Sequence, residues 1–328
     1  LGLDLVALRD LDPAFLEDTQ GASLVASYTG FRPRILGDRR QASFQFRAGF
    51  DRTNVTCNDG LSTAASLRGA ACSDPSDADI ITGNQLIEGA NAYLSAGPRF
   101  SLDLRDDPLD PRKGAFFELD SRLFAGLNPE SPDLARLEGK VTFYVPLLPR
   151  LVLSTALLGG RIFPLEGTSV AVPINRRFFA GGRTTVRGYQ ENTLLPQDVD
   201  IVRAPFFGDP DGGSGIGVDE VGQPIGDISA GGLFFVALKA EMKLDIIGPL
   251  ALAAFYDVGD LFEDGGFAFS TRVETINGVV TRPIAQGAGL GVRRATPVGP
   301  LALDIARPIN PRDDGFDRWQ LHFSVGTF

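Results

Sequence analysis

Trp319-Gln-Leu-His-Phe-Ser-Val-Gly-Thr-Phe328 closes the chain by alternating large apolar residues with polar or small ones. A strand repeats its side-chain direction every two residues, so Trp319, Leu321, Phe323 and Val325 share one face and Gln320, His322, Ser324 and Gly326 the other. In a soluble sandwich the apolar face would meet a second sheet. In a transmembrane barrel it meets lipid. The rest of the chain separates the two, because a wall of charged inner faces is one that no soluble core would oppose. Strict parity sends the terminal Phe328 to the polar face, and a bulge at Gly326 would return it to the apolar one.

Working back from that strand, the alternation recurs with charge on its polar side. Ala42, Phe44, Phe46, Ala48 and Phe50 oppose Gln41, Ser43, Gln45, Arg47 and Asp51; Phe100, Leu102 and Leu104 oppose Arg99, Ser101, Asp103 and Arg105; Phe117, Leu119 and Leu123 oppose Glu118, Asp120 and Arg122. Further strands read at about 137–147, 150–162, 231–245, 248–260, 284–295, 298–308 and 318–328, with weaker ones at about 2–9 and 21–32. Each is near the ~9–11 residues that cross a bilayer when tilted. The count is about twelve strands, and the fold class is all-β, a transmembrane antiparallel β-barrel over residues 1–328. No apolar run is long enough for a spanning helix.

Composition agrees. The chain has 39 Gly and 24 Phe against 1 Met and 2 Cys, which suits turns, close strand approach and a lipid-facing wall. A net charge of -10 argues against nucleic acid as a partner. Connections alternate in length: short turns at Pro33–Arg40, Asp106–Lys113, Leu147–Arg150, Ile246–Pro249 and Ala295–Pro300, long loops at about 53–92, 163–230 and 261–283, shorter ones at about 10–20, 125–135 and 309–317. With the short side periplasmic, the long loops face outward. Cys57 and Cys72 flank one such polar loop and are expected to form a disulfide, stabilising by about 3 kcal/mol in the chain-entropy model and implying an oxidising compartment.

The loop at 163–230 carries Arg177-Phe-Phe-Ala-Gly-Gly-Arg-Thr-Thr-Val-Arg-Gly-Tyr189, more apolar and aromatic than a solvated loop requires. Folded back into a wide lumen, it would bury Phe178, Phe179, Val186 and Tyr189, and Arg187 would then need a carboxylate. Two inward candidates exist: Glu241, on the face of Lys239 and Lys243, and Asp257, opposite Leu252, Ala254 and Tyr256. Arginine suits a fixed pairing because its planar fork binds a carboxylate bidentately. The alternative is ordinary polar lining of a wet lumen.

Phe178-Phe-Ala-Gly-Gly-Arg-Thr-Thr-Val-Arg-Gly-Tyr189, Phe255-Tyr-Asp-Val-Gly259, Val298-Gly-Pro-Leu-Ala-Leu-Asp-Ile-Ala306 and the terminal strand resemble the barrel of the BamA/TamA outer-membrane assembly factors, the bacterial surface antigen family, over roughly residues 95–328. The resemblance implies a lumen-loop latch at Arg187, Gly188 and Tyr189, with Asp257 and Glu241 as its partners. It implies a barrel in the outer membrane of a Gram-negative-type bacterium that inserts or translocates client β-barrel proteins. They would pair at a seam bounded by the last strand, Trp319, Leu321, Phe323, Val325 and Phe328. Partners would be outer-membrane lipids and lipopolysaccharide, clients, and periplasmic or membrane accessory subunits. Family barrels have sixteen strands behind periplasmic POTRA domains, so Leu1 would fall near the fifth strand of a longer protein, unless this is a short form. A two-partner secretion pore, a phospholipid-handling relative and a passive porin are the alternatives.

Chemistry has little foothold. His322, the single histidine, reads as lumen lining beside Gln320 and Ser324, and no catalytic residues, cofactor or metal are expected. Asp74, Asp77 and Asp79, or Asp209 and Asp211 before Gly212 and Gly213, lack EF-hand spacing. Gly287-Ala-Gly-Leu-Gly291 looks superficially like a dinucleotide fingerprint but lies inside a strand with no helix after it.

Overall fold

The computed structural model describes residues 2–11, 15–31, 41–57, 89–129, 131–165, 172–194, 196–197, 231–262, 274–276, 279–281, 283–294, 296, 301–310 and 319–325. Fourteen strands are described: β1 (Gly2–Leu11), β2 (Phe15–Phe31), β3 (Gln41–Cys57), β4 (Gly89–Asp103), β5 (Gly114–Gly126), β6 (Leu134–Leu148), β7 (Leu151–Pro164), β8 (Phe234–Ile247), β9 (Leu250–Phe262), β10 (Glu274–Ile276), β11 (Val279–Thr281), β12 (Ala285–Arg294), β13 (Leu301–Pro308) and β14 (Gln320–Val325). Twelve make one antiparallel sheet in chain order; β10 and β11 form a separate hairpin between β9 and β12. Among the described residues, β1 and β14 are the sheet's two edges.

Three stretches expected to be loops are partly strand. Residues 15–20 belong to β2, the two ends of 53–92 belong to β3 and β4, and part of 261–283 forms the β10–β11 hairpin. The seventeen residues of β2 and of β3 carry both strands beyond what a bilayer requires. Where both faces are wet, polar residues such as Asp18, Gln20, Arg52 and Asn54 occupy either face without cost, so the alternation that marks a strand disappears. Cys72 and Phe328 lie outside the described residues, as does the side chain of Cys57.

The outer faces are apolar and uncovered: Phe44, Phe100, Leu123, Leu157, Leu290, Leu321 and Phe323 all stand exposed. Such a belt on a water-soluble monomer would be an association surface; against hydrocarbon it is the match a barrel needs. Inner faces of the N-terminal wall hold charges that pair with each other, including Arg47 with Asp120, Arg99 with Glu118 at 2.7 Å and Arg136 with Glu138 at 2.6 Å. The apolar core lies inside the curved sheet, where Phe178, Val186, Tyr189 and Leu194 of the long loop pack with Tyr93, Phe124, Ile162 and Leu261 of the wall.

The β4–β5 turn reaches across the short-turn end. Its conformation is set by Asp106, whose carboxylate accepts the backbone N–H groups of Asp107, Arg112 and Lys113 at 2.9–3.1 Å. From that turn Arg112 pairs with Asp245 and Asp110 with Lys243, both on β8. These pairs form a floor.

Candidate functional site

The described part of the long loop, residues 172–194 and 196–197, enters the sheet's concavity in three steps. A single 3-10 turn, Ile174–Arg176, places Arg176 against Asp51 of β3 and over the Tyr93 ring at 4.8 Å. Phe178 then makes a two-way backbone bridge with Gly232 just before β8. Its ring fits between Arg136, 4.3 Å away, and Phe235, 4.8 Å away. Gly160 leaves room for it, because a Cβ there would stand 2.6 Å from the ring. Finally the chain doubles back through Gly181 (φ 104°) and Gly182 (φ 76°), both in the left-handed region that glycine adopts without strain. Thr185 closes this turn by accepting the Gly181 N–H and donating to its carbonyl.

That turn delivers Arg187, 1% exposed, to the inner face of the C-terminal wall. Its Nε and Nη2 donate to the two oxygens of Asp257 at 2.7 and 2.9 Å, and its backbone N–H donates to the same carboxylate at 3.1 Å. Nη1 donates to Glu241 at 2.9 Å and to Asp304 at 3.2 Å. The guanidinium carbon lies over the Phe255 ring, 3.5 Å from its centre. A second arginine, Arg293, donates to Glu241 at 2.6 and 3.0 Å and also pairs with Asp304. Lys239, the cross-strand partner of Asp257, donates its ammonium to the Arg183 carbonyl at 2.5 Å. Three cations and three carboxylates thus neutralise one another across β8, β9, β12 and β13. Burial disfavours the charged guanidinium of Arg187, but the hydrogen bonds and charge of Asp257 and then Glu241 outweigh it and raise its proton affinity above the ordinary arginine range.

Gly188 and Tyr189 extend the contact. Gly188 sits at φ 105°, with the backbone of Arg307 within 3 Å of where a Cβ would be, so only glycine fits. Its N–H donates to Nε2 of His322 on β14 at 3.4 Å, a long bond that requires the Nε2-unprotonated tautomer. The Tyr189 hydroxyl donates to the Asn310 carbonyl at 3.0 Å. Asn310 in turn accepts from Gln286 N–H at 2.9 Å and donates to the Ile284 carbonyl.

Of the residues singled out in the sequence, the structure brings together Arg187, Gly188, Tyr189, Asp257 and Glu241. Trp319, Leu321, Phe323 and Val325 stand together on the outer face, away from them. Arg293 and Asn310 were not singled out, and Phe255 and Asp304 lay within the stretches that carry the resemblance without being given a role. Parity offered a signal for Asp304, which shares the face of Ala302 and Ala306. The run Gly287-Ala-Gly-Leu-Gly291 also has its explanation: a Cβ at Gly287 would stand 1.7 Å from the Arg187 carbonyl oxygen, and one at Gly291 would stand 1.9 Å from Asp304. The glycines let a backbone lie flat on the wall.

The family model of the Omp85 superfamily domain matches residues 14–328. The outer membrane protein assembly factor BamA of Nitratidesulfovibrio vulgaris is 26% identical over 242 residues, covering 74% of this chain and 26% of that protein. The sorting and assembly machinery component 50 homolog of Mus musculus is 30% identical over 96 residues, covering 29% of this chain and 20% of that one. The chain thus spans about a quarter of the length of these relatives. Among solved structures, BamA from Haemophilus ducreyi lacking POTRA domains 1–3 superposes with TM-score 0.61 at 16% identity, covering 96% of this chain and 55% of that one. CdiB from Acinetobacter baumannii gives 0.50 at 14% identity, covering 94% and 42%. At such identities the likeness is one of fold.

Proposed function

The chain belongs to the Omp85 superfamily, and on that premise we propose that this outer-membrane β-barrel helps insert or translocate client β-barrel proteins by strand pairing at a lateral seam, with β14 as one side. The observation that carries the reading is the placement of β14. It pairs with β13 over six positions, Leu301 with Val325 through Ala306 with Gln320, and has no second neighbour among the described residues. A strand edge carries unpaired N–H and C=O groups that are costly in hydrocarbon, so it is a template for a strand that arrives with complementary groups.

Arg187 serves in this reading as the latch that holds the wall beside the seam in shape. Losing it would leave three buried carboxylates with one arginine fewer, a change that costs about 3–5 kcal/mol in buried ion pairs. The clients, outer-membrane lipid, lipopolysaccharide and any accessory subunits are the partners such a role requires. The reading assigns no bond-making chemistry and no cofactor. A passive porin is disfavoured by the loop that enters the lumen and the floor beneath it.

The test uses the full-length protein in liposomes with an unfolded β-barrel client. Phe323→Cys is expected to crosslink to a cysteine in the client's terminal strand during assembly, and Arg187→Ala to abolish client folding and the gel-mobility shift between heated and unheated protein. Full client folding with a wild-type shift in Arg187→Ala would remove the latch. Steady conductance in planar bilayers without any client folding would make the protein a porin.

A further inference from the structure

Between the latch above and the β4–β5 turn below lies a chamber of about 500 Å³ inside the C-terminal half of the sheet. Its charges do not balance. Seven basic side chains line it against four carboxylates, with Asp257 tucked behind Arg187 as a fifth. The six-membered cluster around Arg187 is neutral, and the two floor pairs to β8 cancel, which leaves Lys140 and Arg183 as the lining cations whose side chains make no ion pair among the described residues. Lys140, on β6, faces Glu118 across the β5–β6 pair, but that carboxylate is held by Arg99 at 2.7 Å. Arg183, at the tip of the latch loop, has its backbone N–H bound to Glu191 at 3.2 Å, and its guanidinium makes no ion pair within 4 Å among the described residues.

We propose that this chamber is a phosphate-binding site in which Lys140 and Arg183 hold the anion. An ammonium and a planar guanidinium lining one chamber suit a tetrahedral oxyanion, which accepts from several directions at once. Reach is sufficient. β6 and β8 are two strands apart, roughly 10 Å, and Lys239 on β8 anchors the Arg183 carbonyl, bringing the loop tip towards the Lys140 side. The chamber is far larger than one phosphate, and it extends to the sheet edge, where Ser324 and Val325 of β14 line it. A lipid headgroup whose acyl chains stay in the bilayer could therefore enter from the side, whereas a free phosphate would enter through the lumen. The chemistry recognised is the same. The site goes beyond the assembly role and stands or falls without it, because holding the anion needs no client.

The experiment has two arms on the full-length protein. In detergent, titration with inorganic phosphate is followed calorimetrically; in nanodiscs of anionic or zwitterionic phospholipid, lipid retained on the protein is counted by native mass spectrometry. Saturable binding of about one phosphate group per chain in either arm is expected, and the arm that shows it identifies the source. Lys140→Gln and Arg183→Gln should each weaken binding about tenfold, the effect of losing one charge-assisted hydrogen bond. Lys113→Gln, a turn cation outside the chamber, should not change it. Arg183 is exposed on the loop, so its variant tests the site even if Lys140→Gln fails to fold. Absence of saturable binding in both arms, or unchanged affinity in Arg183→Gln, overturns the proposal.

Discussion

The two walls of this barrel solve the problem of a wide interior in opposite ways. On β3–β6 the inner face carries long charged side chains, Arg47, Arg99, Glu118, Asp120, Arg136 and Glu138, which reach one another and occupy the space themselves. On β9, β12 and β13 the inner face is built mostly from Ala251, Ala253, Gly259, Gly287, Gly289, Gly291, Ala302 and Ala306, with Phe255, Asp257, Arg293 and Asp304 set among them. That second wall cannot fill the lumen alone, and the loop carrying Arg187 lies where side-chain volume is missing. The docking site of a lumen loop is thus legible in the volume of the wall it lands on. The ion pairs differ accordingly: Arg47 and Asp120 each keep about a fifth of their side-chain surface exposed, whereas Arg187 and Asp257 keep 1% and 0%.

Substitutions can break this contrast. The largest effect is expected at Gly287, where a Cβ would collide with the Arg187 carbonyl oxygen. Gly287→Val should expel the loop, abolish the gel-mobility shift and cost on the order of 3–5 kcal/mol through the freed ion cluster. A normal shift would mean that the loop docks without the glycine face. Next come matched carboxylates on the two walls. Asp304→Asn, in the buried cluster, should lower stability by about 3 kcal/mol, and Asp120→Asn, in the wetter wall, by under about 1 kcal/mol, as measured by unfolding in detergent. Equal losses would erase the distinction between the walls.

The asymmetry also explains what sequence could and could not disclose. Membrane-embedded stretches were readable because lipid on one side and water on the other impose a period of two, as in Phe44 to Phe50 and Leu252 to Tyr256. Above the bilayer both faces are wet, so residues 15–20 read as loop although they are strand. Inside the barrel, parity placed Asp257 and Glu241 inward. It could not rank Asp304 beside them, because the meeting of β8, β9 and β13 at one arginine depends on register carried across several strands. The glycine run was visible, but its purpose needed the loop lying on it.

A smaller effect tests how far the braced wall reaches towards the edge. His322 is the contact by which β14 meets the latch backbone, at 3.4 Å from Gly188. His322→Ala should cost about 1 kcal/mol or less, the range of one neutral hydrogen bond. It should also speed amide hydrogen exchange at Gly188 while leaving exchange at Arg187, held by Asp257, unchanged. If both amides accelerate together, β14 is part of the braced wall rather than an edge attached to it.

An effect of similar size concerns the floor, where the N-terminal wall's β4–β5 turn meets β8. Partial burial pushes the Asp106 carboxyl up, but the N–H groups of Arg112, Lys113 and Asp107 outweigh it and hold it below the usual carboxylate range. A carboxyl depressed on folding contributes stability that is present above its unfolded value, about 3.9, and is lost as pH falls through the folded one. Asp106→Ala should therefore lower the unfolding temperature at pH 7 by an amount equivalent to about 1 kcal/mol, and the difference from wild type should shrink below about pH 4. A difference independent of pH would mean that the turn is held by its two ion pairs to β8, which tie the walls together without help from Asp106.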